Sequence, residues 1–249
     1  MTSPALADTL REINPANEEP SSLSCDTSHL PPLPCGWTVR EYAFDDHTLK
    51  LTVPHRPDAL LDGSEVVAAS NRDDYMPYWA YLWPAAIYMS QAVLKEDWPG
   101  GTRVLELGCG VGLVGVAARV KGCRVTMTDY QATAVAVAQH NARLNGFDDV
   151  ETRELDWRSP PNTKYPVILG CDLLYEQRNL VPILDLLEIM LEPGGLCWLA
   201  DGGRNAAHPF WYLARERGYA VTMRDHAGHE LMTPGLHYQL FELRRPARI

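Results

Sequence analysis

The sequence predicts an α/β fold: a doubly wound, mostly parallel sheet covered by helices on both faces and preceded by a β-hairpin. Three observations predict it. From residue 102 onward, short apolar runs of strand length alternate with helical segments, the order that a parallel sheet requires. The stretch "VLELGCGVGLVG", residues 104–115, follows the first of these strands and opens a helix, as a nucleotide-binding turn does. The last stretch, "HYQLFELRR", alternates and follows its predecessor with no helix between, so it pairs antiparallel.

Each element has its own signal. Residues 1–34 are rich in Pro, Ser, Asn and acidic groups and end in "HLPPLPCG"; they read as a mobile arm with one short helix near Ala5–Ile13. From Trp37, "WTVREYAFDDHTLKLTV" alternates on both sides of a polar "DDHT" turn, which is a hairpin pattern. Residues 54–75 are irregular, and "YMPYWAYLWP" then concentrates five aromatics in ten residues. Pro84 sits at the first turn of a helix that carries Ile87, Ser90 and Leu94 on one face. These features divide one domain, 35–249, into a hairpin and aromatic segment, 35–101, and a core, 102–249.

Within the core, "RVLEL", "RVTMTD", "VETREL", "VILGCD", "LCWLAD" and "AVTMR" read as strands. The intervening helices fall at about Gly112–Val120, Gln131–Gly146, Arg178–Leu191 and Ala207–Arg217, the second closed by Gly146. "EPGG" makes the turn into "LCWLAD", and no internal repeat is present.

The composition, 46% hydrophobic and 22% charged, excludes wholesale disorder. A net charge of −10 argues against nucleic acid as a partner and suits a basic one, such as a lysine-rich protein segment. The six cysteines (Cys25, Cys35, Cys109, Cys123, Cys171, Cys197) form no C-x-x-C pair and no zinc spacing, so no metal is expected. The eight histidines show no base–nucleophile arrangement, and His140, inside an alanine-rich helix, reads as structural. The start of the chain lacks a basic n-region and an apolar h-region, and no apolar run is long enough to span a membrane. The expectation is a soluble, cytoplasmic protein; its oligomeric state is open.

The glycine turn can be read in two frames. Gly110, Gly112 and Gly115 spell the G-x-G-x-x-G of a dinucleotide site; Glu106, Gly108, Gly110 and Gly112 spell E-x-G-x-G-x-G, the turn of proteins that bind S-adenosylmethionine. The first frame should begin at the strand end, yet Gly108 and Cys109 intervene after Leu107. The second puts Glu106 at the strand's carboxyl end, Gly108 and Gly110 in the tight turn and Gly112 where the helix begins. Asp129 ends the next strand, where an acid can accept both ribose hydroxyls, but dinucleotide sites share that feature. "LDW" ends the third core strand and places Asp156 and Trp157 where an adenine would lie.

With these motifs the chain from about Thr102 to its end resembles the class I, seven-stranded S-adenosylmethionine-dependent methyltransferases. The resemblance implies a Rossmann-like sheet, S-adenosyl-L-methionine as cofactor and S-adenosyl-L-homocysteine as product. It implies that Asp129 holds the ribose, that the Gly108–Gly112 turn passes under the cofactor's amino-acid part, and that Asp156 accepts from the adenine amino group. "CDLLYE", Cys171–Glu176, closes the fourth core strand, the position facing the transferred methyl in that fold. Together with "PYWAYLWP" it resembles the protein lysine methyltransferases that carry a D/E-x-x-F/Y motif, closest to the branch modifying the β-subunit of electron-transfer flavoprotein. "ADGGR" resembles that branch's D-P-G-R segment, with Gly202-Gly203 in place of Pro-Gly.

On this resemblance Asp172 and Tyr175 are the candidate catalytic residues. Asp172 would accept a hydrogen bond from the acceptor amine, and Tyr175 would close the channel wall or bond the amine. Tyr78 and Trp79 would line a lysine channel with Arg204, which would bind cofactor or substrate. Trp83 would meet the cofactor's sulfonium side through a cation–π contact, with Cys171 beside it. The expected partner is a protein with an accessible lysine. Two other readings stand: a metabolite methyltransferase of the same fold, because fold alone does not specify what is methylated, and a non-catalytic domain that binds cofactor and regulates a partner.

Overall fold

In a computed structural model, residues 25–61 and 76–247 are described; the helix expected near Ala5–Ile13 lies outside them. β1 (Trp37–Phe44) and β2 (His47–Pro54) form the expected hairpin, with Phe44 opposite His47 and Asp45-Asp46 as a two-residue turn. Residues 25–34, expected to belong to the mobile arm, instead pack against the domain: Leu30 is buried in the core, and Trp37 Nε1 donates to the Pro31 carbonyl at 3.0 Å.

The main sheet has seven strands in the order β5-β4-β3-β6-β7-β9-β8. They are β3 (Arg103–Leu107), β4 (Arg124–Asp129), β5 (Glu151–Glu154), β6 (Tyr165–Cys171), β7 (Leu191–Asp201), β8 (Ala220–Arg224) and β9 (Gln239–Arg244). β5, β4, β3, β6 and β7 pair in parallel, and β9 lies antiparallel between β7 and β8. The antiparallel last strand is as expected from the sequence, but it inserts beside β7 rather than extending the edge. "EPGG" is not a turn before β7; residues 192–195 lie within the strand, where the pairing jumps from Tyr165–Leu191 to Val167–Leu196.

Among the described residues five α-helices cover the sheet: α1 (Pro84–Lys95), α2 (Leu113–Val120), α3 (Ala132–Leu144), α4 (Gln177–Met190) and α5 (His208–Glu216). Successive strand side chains point to opposite faces, so the central strands feed two cores. Val104, Val167 and Leu169 pack with α1, α2, α3 and the hairpin, whereas Leu105, Leu107 and Ile168 pack with α4 and α5.

The hairpin is joined to α3 by two side-chain amides. Asn141 Oδ1 accepts from the Thr52 amide at 2.7 Å, and its Nδ2 donates to the carbonyls of Thr52 at 3.0 Å and Val111 at 2.8 Å. Four residues on, Asn145 brackets Lys50 in the same way, at 3.0 and 2.7 Å. Positions i and i+4 share a helix face, and i and i+2 share a strand face, so the two asparagines continue the β-ladder on the outer edge of β2. His140 is structural as expected: its Nε2 is 2.8 Å from Thr52 Oγ1 and its Nδ1 is 3.1 Å from His29 Nε2.

Candidate active site

A cavity of about 1050 Å³ opens at the carboxyl ends of β3, β4 and β6, where open parallel sheets bind ligands. Of the candidate catalytic, cofactor-binding and channel residues, all line it except two: Gly112, at the end of the glycine turn, packs against Ala138 and Met127, and Arg204 stands behind Asp172.

The turn after β3 follows the second frame. Gly108, Gly110 and Gly112 take φ of 59°, 51° and 87°, a left-handed region that side chains disfavour. Gly115 has no such backbone. It lies in α2 and is small for another reason: a Cβ there would fall 2.3 Å from Glu106 Oε2 and 2.6 Å from the Met127 methyl. The segment carrying Trp79 crosses the turn so closely that a Cβ on Gly110 would lie 3.2 Å from the Trp79 carbonyl oxygen.

Two buried acids flank the turn. Asp129 accepts from the Gly110 amide with one oxygen and from the Gln131 amide with the other, each at 2.9 Å. Burial nevertheless raises its pKa, with the two amides pulling the other way. Glu106 is deeper, and its Oε2 has no hydrogen-bond partner among the described residues. Burial pushes its pKa up to about 8, against the Gly115 backbone amide and with a push from Asp129.

On the far side, Asp156 is gripped by Arg158, whose Nε and Nη2 reach its carboxylate at 2.8 Å. That hydrogen bond holds the Asp156 pKa low. Arg158 also lies 5.5 Å over the Tyr130 ring, so this wall is charged and aromatic before any ligand arrives.

The end of β6 and the segment after it make the opposite wall, with the end of β7 behind it. Asp172 takes φ of 56°, a strained conformation for a side-chain-bearing residue and one that recurs at functional sites. Its Oδ1 is ion-paired with Arg204 and accepts from the Gly202 amide at 3.3 Å, while among the described residues Oδ2 has only the Cys171 thiol at 3.7 Å. Burial raises the Asp172 pKa; Arg204 opposes that rise and Asp201 adds to it. Burial also pushes the Cys171 thiol far up, which leaves it a neutral wall group.

Arg204 sits between Asp172 and Asp201, 3.0 Å from the latter, and its guanidinium stacks 5.1 Å over Trp83. One face of Trp83, expected to meet a sulfonium, therefore carries Arg204. Trp83 Nε1 donates to the Tyr78 carbonyl at 3.0 Å, and the Tyr78 and Tyr175 rings approach to 5.2 Å. Trp79 turns back toward Trp37, at 6.3 Å between ring centroids.

Sequence reasoning missed Asp201 and Asn141. Asp201 is fully buried at the end of β7, and its Oδ1 accepts from the amides of Gly203 and Arg204 at 2.8 and 2.7 Å. Its signal was present, since "AD" closes a strand as "TD" and "CD" do. Asn141 gave no signal, because an asparagine on a helix announces nothing until the helix packs.

The residues suit an adenosyl sulfonium ligand. The turn brings bare backbone to the cavity, acids close two parallel strands, and the unpartnered Glu106 oxygen lies beneath the turn.

A model of a family described as lysine methyltransferase matches residues 78–209. Among curated proteins, the histidine protein methyltransferase 1 homolog of Dictyostelium discoideum is 32% identical over 128 residues, covering 48% of this chain and 41% of that protein. The protein N-lysine methyltransferase METTL21A of Danio rerio is 31% identical over 140 residues, 50% of this chain and 64% of that protein. The electron transfer flavoprotein beta subunit lysine methyltransferase of Rattus norvegicus is 28% identical over 130 residues, 51% and 48% of the two chains. The chain thus spans about half the length of the curated relatives it matches. Among solved structures, a TehB-like SAM-dependent methyltransferase from Corynebacterium glutamicum superposes with a TM-score of 0.54 at 16% identity, over 64% of this chain and 88% of that one; this is a likeness of fold. No helix among the described residues is long and apolar enough to cross a membrane.

Proposed function

Since the chain belongs to the lysine methyltransferase family, we propose that it transfers a methyl group from S-adenosylmethionine to a lysine side chain of a protein partner. The observation that carries this reading is convergence: the glycine turn and Asp129 on one wall, and Asp172 with Tyr175 on the other, line a single cavity. When bound, S-adenosylmethionine supplies an electrophilic methyl group on a sulfonium, and the transfer is an in-line displacement that needs no metal.

The protein's task is to hold an uncharged amine about 3 Å from that carbon and exclude water. Asp129 receives the ribose hydroxyls on the lone pairs its two backbone amides leave free. Asp156 is the candidate acceptor for the adenine amino group, with Arg158 sharing its carboxylate. Asp172 Oδ2, free of strong partners, accepts from the incoming ammonium and aims its nitrogen. A lysine at its reference pKa near about 10.4 is almost wholly protonated at neutral pH. Burial beside Tyr78 and Tyr175 weakens its hold on the proton, which passes to water; the negative charge of Asp172 alone would strengthen that hold.

A second reading keeps the chemistry and changes the acceptor to histidine or arginine, because relatives named for those side chains match this chain too. The test is transfer of radiolabel from S-adenosylmethionine into a cell lysate, with Asp172→Asn alongside and acid hydrolysis of the labelled protein. Asparagine tolerates the left-handed backbone, so this variant should keep the fold and the cofactor affinity while losing about 100-fold in rate. Methyl-lysine in one protein band supports the reading. Methylhistidine or methylarginine moves the acceptor, and label confined to small molecules sinks the protein-substrate reading.

A further inference from the structure

We infer that Arg204 is a positioning residue of the acceptor site, holding the Asp172 carboxylate and the Trp83 ring in one arrangement although it does not itself line the cavity. The inference rests on the reading of Asp172 as the group that receives the acceptor.

The geometry is that of a keystone. Asp172 directly follows β6 and Asp201 ends β7, adjacent parallel strands, so two carboxylates emerge side by side in the interior. Two such charges are tolerated only with a shared cation, and Arg204 is that cation, bonded to both. Asp201 is the anchor. Besides the guanidinium it accepts the Gly203 and Arg204 backbone amides, which fixes the loop from which Arg204 projects. A Cβ on Gly203 would fall 2.3 Å from the His237 amide nitrogen, so the approach to β9 clamps this loop from outside. With its base fixed, Arg204 engages Oδ1 of Asp172, while Oδ2 has just the weak Cys171 thiol contact at 3.7 Å among the described residues.

The same guanidinium stacks on Trp83. Trp83 in turn holds the Tyr78 carbonyl, and Tyr78 packs against Tyr175. One planar cation therefore links the carboxylate pair to Trp83, which lies 89 residues before Asp172 in the chain. Nη1 alone bridges the two carboxylates, so a lysine could supply that charge, but not the flat face that stacks on indole.

The ionisable groups facing Asp172 are Arg204 and Asp201 from the end of β7, Cys171 beside it on β6, and the Tyr238 phenol leading into β9. Arg204 is the one cation among them. Without it Asp172 would be protonated at higher pH, and the site would lose its acceptor charge from the acid side.

The experiment measures initial label transfer from S-adenosylmethionine into the protein fraction of a cell lysate between pH 6 and pH 9. Arg204→Met, Arg204→Lys and Asp172→Asn are each divided by wild type at every pH, which cancels ionisation of the acceptors. Cofactor affinity by calorimetry should stay within about threefold for all three, because the side chains of Arg204 and Asp172 bond one another and the end of β7, not the glycine turn or Asp129. Arg204→Met should be about 100-fold slow at the acid end and recover about tenfold toward the alkaline end, while Arg204→Lys stays about tenfold slow at all pH. Asp172→Asn should be slow and flat. A flat Arg204→Met ratio beside an inactive Asp172→Asn overturns the positioning role and leaves the proposed function intact. An active Asp172→Asn instead overturns the reading of Asp172 on which both rest. If Arg204→Met does not fold, Arg204→Lys decides: a wild-type rate overturns the role.

Discussion

At the ends of β3 and β4 the cavity wall is built around a glycine turn that presents main chain, whereas past the end of β6 it is built on side chains braced from β7. On the first wall a glycine turn brings main chain to the cavity, and Asp129 is fixed by two amides, one from that turn and one two residues beyond it. On the second, Asp172 is fixed by a guanidinium from the next strand end, and that guanidinium by an indole from before the first helix. The first arrangement stays in place as long as one unit of consecutive elements, β3, α2 and β4, folds. The second exists only when three distant segments have met. A site that always holds the same cofactor suits the first construction. One that must admit a particular acceptor can be retuned by single substitutions, which suits the second.

The largest expected effect sharpens this contrast. Asp129→Ala should weaken S-adenosylmethionine binding about 100-fold in calorimetry, since it removes a charged acceptor and frees the Gly110 amide. An unchanged affinity would mean that the backbone wall is not the cofactor's.

The next concerns the tie between the hairpin and the turn. Asn141→Ala leaves the Thr52 amide and the Thr52 and Val111 carbonyls without their partner in the interior and should cost about 2–4 kcal/mol in urea denaturation. Asn145, which is nearer solvent and bonds Lys50, should cost about 1 kcal/mol. Equal losses would show that the difference in burial does not matter.

A smaller effect is a pH dependence. Glu106 has a folded pKa of about 8 against an ordinary 4.5, so the folded state binds more protons between those values. Its contribution to stability is complete below the unfolded value and is lost as pH rises toward about 8. Asp129 and Asp172, both raised, act in the same direction. Glu106→Gln should therefore reduce, without abolishing, the fall in Tm between pH 5 and pH 8.5; an undiminished fall would place the buried proton elsewhere.

The backbone wall was legible because its requirements are local. A left-handed turn demands glycine at fixed spacing, and an acid at or just past a strand end needs only the strand to be recognised; that exposed Glu106, Gly108, Gly110, Gly112, Asp129 and Asp156 in order along the chain, and Asp172 on the other wall by the same signal. The pairing of Asp172 with Arg204 was not legible, because no periodicity relates residue 172 to residue 204 until β6 and β7 lie side by side. Nor was the docking of residues 25–34, whose Pro-rich composition reads as disorder although Leu30 finds a buried place.

By itself, then, the sequence determined the alternation of strands and helices, the hairpin, the antiparallel last strand and the frame of the glycine turn. All of these follow from residue types within a few positions of one another, where backbone conformation and side-chain period act. The tertiary structure alone decided that β9 inserts beside β7, that Asn141 and Asn145 extend the hairpin's ladder, and that one guanidinium serves two carboxylates and an indole. Those are contacts between segments remote in sequence. Their energy depends on burial and on the distance between charges, quantities that come into existence only when the chain has closed on itself.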